Sequence, residues 1–121
     1  MKNLSSLIVA VFVLTISAAA IGAEKAPDGL DPKRTHGIII GVLEFKDSAT
    51  TGWPKRARKD QELFDRLIAL GVPKANLTLL LDSKATRASI LKAVGESVEG
   101  VRKGDTLIFY YAGHGSKDGE G

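Results

Sequence analysis

GIIIGVL, residues Gly37 to Leu43, is a run without a single polar side chain. A strand with one face in water alternates apolar and polar residues, and this one does not alternate. Its isoleucines and valine are β-branched and favour an extended backbone. An unalternating strand is buried on both faces, as in a parallel sheet with helices on each side. That reading sets the fold class, and the flanking sequence agrees with it.

Downstream, Glu44 to Pro54 (EFKDSATTGWP) is a loop by composition. Ala57 to Leu70 has helical spacing, with Leu63, Phe64, Leu67 and Ile68 on one face and Glu62, Asp65 and Arg66 off it. Gly71 can supply a left-handed cap, and Pro73 prevents continuation. Leu77 to Leu81 (LTLLL) is a second strand, ended by Asp82. Thr86 can cap a second helix with an apolar stripe at Ile90, Leu91, Val94 and Val98. Gly95 inside that helix costs about 1 kcal/mol relative to alanine. Gly104-Asp105 turns the chain into a third strand, Thr106 to Tyr111. Strand, helix, strand, helix, strand predicts a mainly parallel sheet between two helical layers, a three-layer α/β/α architecture. The third strand needs a neighbour on its far side, and no strand after it in the sequence supplies one.

Upstream, Glu24 to Thr35 is polar, with two prolines and a glycine, and reads as a linker. Met1 to Ala23 reads as a signal peptide. Lys2 is the positive region, Leu7 to Ile16 the apolar region, and Ala18 to Ala23 offers small residues for cleavage. Uncleaved, Leu4 to Ala23 is long enough to anchor the chain in a membrane. Either way the rest of the chain is expected to be exported, to the periplasm or outside the cell. The protein has no cysteine, so neither disulfides nor a cysteine-linked lipid are available. The net charge is +3 and the basic residues are scattered without interleaved aromatic side chains, which argues against a nucleic-acid partner. Two histidines without cysteine make no zinc pattern, no calcium-loop spacing occurs, and no cofactor is expected. His36 reads as a surface residue. Asn76-Leu77-Thr78 fits a glycosylation pattern but opens a buried strand.

The end of a parallel strand is where α/β proteins bind ligands. His114 lies just past the third strand, between Gly113 and Gly115. Histidine exchanges a proton near neutral pH, and the glycines let a substrate or backbone N–H come close. YYAGHGS resembles the histidine motif of the caspase-like cysteine peptidases, the group that includes caspases and metacaspases. HGIIIGV resembles that family's first strand. ARKDQELFDRLIALGVPKANLTLLLDSKATRASIL resembles its first helix, second strand and second helix, and KGDTLIFYYAGHGS its third strand and catalytic turn. The resemblance runs from His36 to Ser116. It implies the caspase-haemoglobinase fold, incomplete at its C-terminus, with residues 36–121 as the N-terminal part of the peptidase domain.

The resemblance also implies that His114 belongs to a Cys–His dyad and that the N–H of Gly115 helps form an oxyanion hole. The substrate would be a peptide or protein. A thiolate attacks, and histidine favours it and later protonates the leaving amine. The family's cysteine ends the next strand, and this sequence holds neither. Ser116 is too close to His114 to replace it and reads as a turn residue. As it stands, this chain is expected to be inactive alone. Lys55, Arg56, Arg58 and Lys59 cluster where the first helix begins. Arg56 or Arg58 is a candidate to bind an acidic side chain, against the plainer reading of a solvated loop. A second function is non-enzymatic: an inactive caspase-like binding or assembly module, pairing with another chain through its open third strand. An α/β-hydrolase would need G-x-S-x-G, and a nucleotide site would need a phosphate loop; neither occurs.

Overall fold

The isoleucine run is the centre of the sheet. A computed structural model of the protein describes residues 7–15, 29–46 and 51–114. These form strands β1 (Leu7–Thr15), β2 (Thr35–Gly41), β3 (Leu77–Leu81) and β4 (Thr106–His114), with helices α1 (Lys59–Ala69) and α2 (Arg87–Gly100). The strand order is β1-β4-β2-β3. β2 lies parallel to β3 on one side, with Gly37 opposite Leu77, and parallel to β4 on the other, with Thr35 opposite Thr106. The chain steps outward from β2 to β3 and then back over β2 to β4, so the carboxyl ends of β2 and β4 lie side by side.

Burial follows from alternation within β2. Ile39 packs with Leu67, Leu77, Ile108 and Tyr110, and with Leu63 and Phe64 of α1 at the margin. Ile38 and Ile40 pack on the opposite face with Ala93, Ile90 and Val94 of α2. All three isoleucines are at most 1% exposed, so both faces of β2 are covered. Each such side chain contributes roughly 1.5–3 kcal/mol. The described residues thus have the expected α/β class: a small parallel sheet with two helices.

The α2 face differs from the expected stripe. Ala93 is buried while Leu91 is 57% and Val98 64% exposed. The contact row runs through Ile90, Ala93 and Val94, and Leu91 and Val98 lie beside it. Apolar type alone cannot tell a small inward alanine from a large outward leucine. Thr86 does cap α2, its hydroxyl accepting the N–H of Ser89 at 3.1 Å. Gly71, with φ +95°, follows the end of α1 as expected.

The far edge of β4 also differs. It carries β1 in antiparallel register, from Leu7 opposite His114 to Thr15 opposite Thr106. The neighbour that β4 requires comes from upstream, from the apolar stretch read as the core of a signal peptide. No helix among the described residues is long and apolar enough to cross a membrane.

Candidate functional site

His114 ends β4, and its ring is held by the loop that follows β2. The pairing of β2 with β4 continues one step past Gly41, where the Val42 N–H donates to the Ala112 carbonyl at 2.8 Å. Leu43 is buried, and its carbonyl accepts the N–H of Trp53 at 3.0 Å. A Cβ on Gly52 would stand 2.8 Å from that same carbonyl, so the loop closes this tightly because position 52 has no side chain. The closed loop brings three groups to His114. The Trp53 ring centre is 4.0 Å from that of His114, and the Phe45 ring centre is 4.9 Å away. The carbonyl of Thr51 lies 3.3 Å from His114 Nε2. The Tyr111 hydroxyl donates to the carbonyl of His114 at 3.3 Å and ties down the strand tip.

The partner of Nε2 matters chemically. A carbonyl oxygen only accepts, so this hydrogen bond requires the proton on Nε2. In neutral imidazole the lone pair is then on Nδ1. The geometry selects a tautomer, with the proton on Nε2 and the lone pair on Nδ1.

A layer below lies an ion network. Asp60, at the start of α1, is wholly buried against β2. A Cβ on Gly41 would stand 1.5 Å from its carboxylate oxygen, so only glycine admits Asp60 there. Asp60 Oδ1 accepts the Gln61 N–H at 2.7 Å, and Oδ2 accepts Arg58 Nη1 at 2.9 Å. The other arm of Arg58, Nη2, donates to Asp82 Oδ2. Asp82 Oδ1 accepts the N–H groups of Leu43 and Glu44, each at 2.9 Å. Burial alone would raise the Asp82 carboxyl, but the Arg58 hydrogen bond and the two N–H donors hold it below its ordinary range. Burial alone would lower Arg58, but the Asp82 hydrogen bond and the charges of Asp60, Asp82 and Glu44 raise it. Tyr110 is raised by burial and by the charge of Asp60.

The residues singled out in the sequence divide. His114 sits at the strand tip beside the loop of β2. Gly115 and Ser116 lie outside the described residues. Arg58 turns inward and holds two carboxylates of its own chain. Arg56 is exposed on the short turn Lys55–Ala57 and makes no ion pair among the described residues. An open groove of about 550 Å³ is lined by Glu44, Lys55, Arg58, Glu62, Asp65 and Leu81, among others, and Arg56 is not part of its lining. Lys59 pairs with Glu62 at 2.5 Å. Asn76 directs its amide to the Thr35 carbonyl at 3.2 Å, an engagement that fits a structural asparagine.

His36 is not a surface residue. Its side chain is 15% exposed and its Nε2 lies 3.3 Å from Asp105 Oδ2. It belongs to β2, whose neighbours cover it. Thr51, Phe45, Trp53 and Asp82 were not expected at the site. The signal available for Trp53 was its position between a glycine and a proline, in a loop after a buried strand. No family model matches the chain, and neither a curated protein nor a solved structure matches it.

Proposed function

We propose that this chain is the histidine-bearing, N-terminal part of a caspase-like cysteine endopeptidase domain, and that it is exported. The observation that supports it best is the carbonyl of Thr51 on His114 Nε2, at the carboxyl end of a parallel strand. A base oriented by a third group is what thiol activation needs. Nδ1 of His114 takes the thiol proton as the thiolate attacks the peptide carbonyl. The same proton goes to the amine as the C–N bond breaks. Water, with His114 again as base, then releases the acid and restores the thiol. The N–H of Gly115 is the proposed donor to the oxyanion. The 121 residues contain no cysteine, so the thiol comes from outside them. Exposed Arg56, rather than Arg58, is the proposed contact for an acidic substrate side chain.

The test is to read the coding sequence past the codon for Gly121 and to assay the encoded protein on peptides. An apolar strand ending near an aspartate and a cysteine, with turnover lost in His114→Ala, supports the reading. A stop codon there, with no thiol-bearing partner chain, sinks it. Turnover by the 121-residue protein itself, lost in His114→Ala, overturns the need for an outside thiol. N-terminal sequencing of the exported protein tests cleavage near Ala20 or Ala23. An Arg56→Ala variant that cleaves after acidic and basic residues as before would remove Arg56 from the substrate site.

A second reading, assembly through strand pairing, is favoured by β1 on the edge of β4. Light scattering on the chain cleaved of residues 1–23 separates the two: a stable monomer argues against assembly.

A further inference from the structure

We infer that Arg58 and Asp82 are positioning residues for His114; their importance to chemistry, though not their geometry, rests on the function proposed above. Among the described residues, Phe45, Trp53 and Thr51 lie against the His114 ring, and all three hang from residues 43 and 44. Phe45 follows Glu44 directly. Trp53, and with it Gly52 and Thr51, is fastened to the Leu43 carbonyl. The N–H groups of Leu43 and Glu44 end on one carboxylate oxygen, Asp82 Oδ1.

Asp82 is itself held. Its backbone is left-handed, with φ +49°, a conformation uncommon outside glycine. Its other oxygen takes one arm of Arg58, and the second arm of Arg58 takes Asp60. Asp60 is wholly buried and packed directly on Gly41. The path is continuous: the floor of β2, Asp60, Arg58, Asp82, the exit of β2, then the rings and carbonyl around His114. A surface pair would contribute little, but the side chains of Arg58 and Asp82 are only 17% and 22% exposed. The forked guanidinium suits the task, since it meets two carboxylates in fixed directions and a lysine ammonium does not. Two carboxylates on one guanidinium leave a local negative charge, separated from the imidazole by the loop.

The test reads His114 directly in the 121-residue protein, without any activity. Nitrogen NMR reports which ring nitrogen carries the proton. Trp53 is the only tryptophan, and contact with a protonated imidazole quenches indole emission, so its fluorescence follows the same ring. The unaltered protein is expected to show the Nε2–H form when neutral, and a single acid quenching step that His114→Asn removes. Asp82→Ala is expected to mix the two tautomers and lose most of the quenching step while the far-ultraviolet circular dichroism stays folded. Asp82→Asn keeps an acceptor for the two N–H groups and is expected to fall between. Arg58→Lys is expected to lose part of the step as well. Asp105→Asn, at the other end of the sheet, is expected to leave both signals unchanged.

A folded Asp82→Ala variant with unaltered tautomer and quenching overturns the inference. So does an Asp105→Asn variant that alters them equally, since the effect is then general loosening. If Asp82→Ala does not fold, Asp82→Asn and Arg58→Lys decide, and unaltered signals in both overturn it. A stop codon after Gly121 would sink the peptidase reading and leave these signals as they are.

Discussion

The two ends of the β2–β4 pair carry the same three residue types and use them differently. At the amino end, His36 Nε2 meets Asp105 Oδ2 at 3.3 Å, and Asp105 Oδ1 accepts Arg34 Nε at 3.1 Å. The same aspartate accepts the Arg102 N–H at 2.9 Å, and Arg34 also reaches the Lys103 carbonyl at 2.7 Å. Here histidine and arginine both bind the aspartate and staple the start of β2 to the turn before β4. At the carboxyl end, Asp82 and Arg58 touch each other but not His114, whose partners among the described residues are a neutral carbonyl and two aromatic rings. A carboxylate on an imidazole accepts the N–H of its ring nitrogen and anchors the ring. A carbonyl that accepts from the imidazole sets its tautomer. The two histidines differ in which neighbour each one has, not in which residue types lie nearby.

The hardest way to break this contrast is to remove the floor under the carboxyl end. Gly41→Ala drives a methyl group into the Asp60 carboxylate, and we expect a loss of roughly 3–5 kcal/mol, as for a broken buried ion pair. Urea unfolding checks it; an unchanged midpoint would mean that Asp60 is not the anchor. Asp105→Asn should cost less, about 1–2 kcal/mol, by weakening hydrogen bonds at the amino end. Amide exchange should then quicken at the start of β2 and β4 and not near Phe45.

Acid acts on the carboxylates at both ends. Hydrogen bonding from Arg102, partly opposed by burial, and then from Arg34 and His36 holds Asp105 low, and Asp82 is low as well. A carboxyl lowered by folding stabilises the protein above its unfolded value, and that stability is lost as pH falls through the folded value. Stability should therefore decline as pH drops below about 4. Asp105→Asn should decline less over that range, measured by urea midpoints at successive pH values; an identical slope would remove Asp105 from the account. The smallest effect belongs to Arg56→Ala, within about 0.5 kcal/mol, set against Arg58→Ala, which leaves two carboxylates without their shared cation. Equal effects of the two would erase the distinction between them.

The order β2, α1, β3, α2, β4 was legible because it rests on local periodicity, caps and turns. His114 was legible because a strand delivers it. The surroundings of His114 were not, because they depend on where the loop after β2 comes to rest. That is decided by the approach of Gly52 to Leu43 and by Asp82, which lies 24 residues beyond Arg58 in the chain. Arg56 and Arg58 look alike in sequence, and what separates them is that Arg58 turns inward onto buried Asp60 and distant Asp82. The pairing of β1 was illegible for a similar reason. An apolar stretch fits an export signal and a strand equally well, and what fits it to β4 is an edge formed about 90 residues later.

That pairing has a consequence for the order of events in the life of the chain. Leu7 stands opposite His114, so residues 7–15 and the histidine strand meet at the site. Whatever draws the leading segment away unzips the sheet from the histidine downward. A chain threaded through a membrane by that segment would reach the far side with β4 bare along one side, its amides open to the first strand that arrives. If that segment is the export signal proposed above, the strand that closes the seam and the signal that would be cleaved are the same residues.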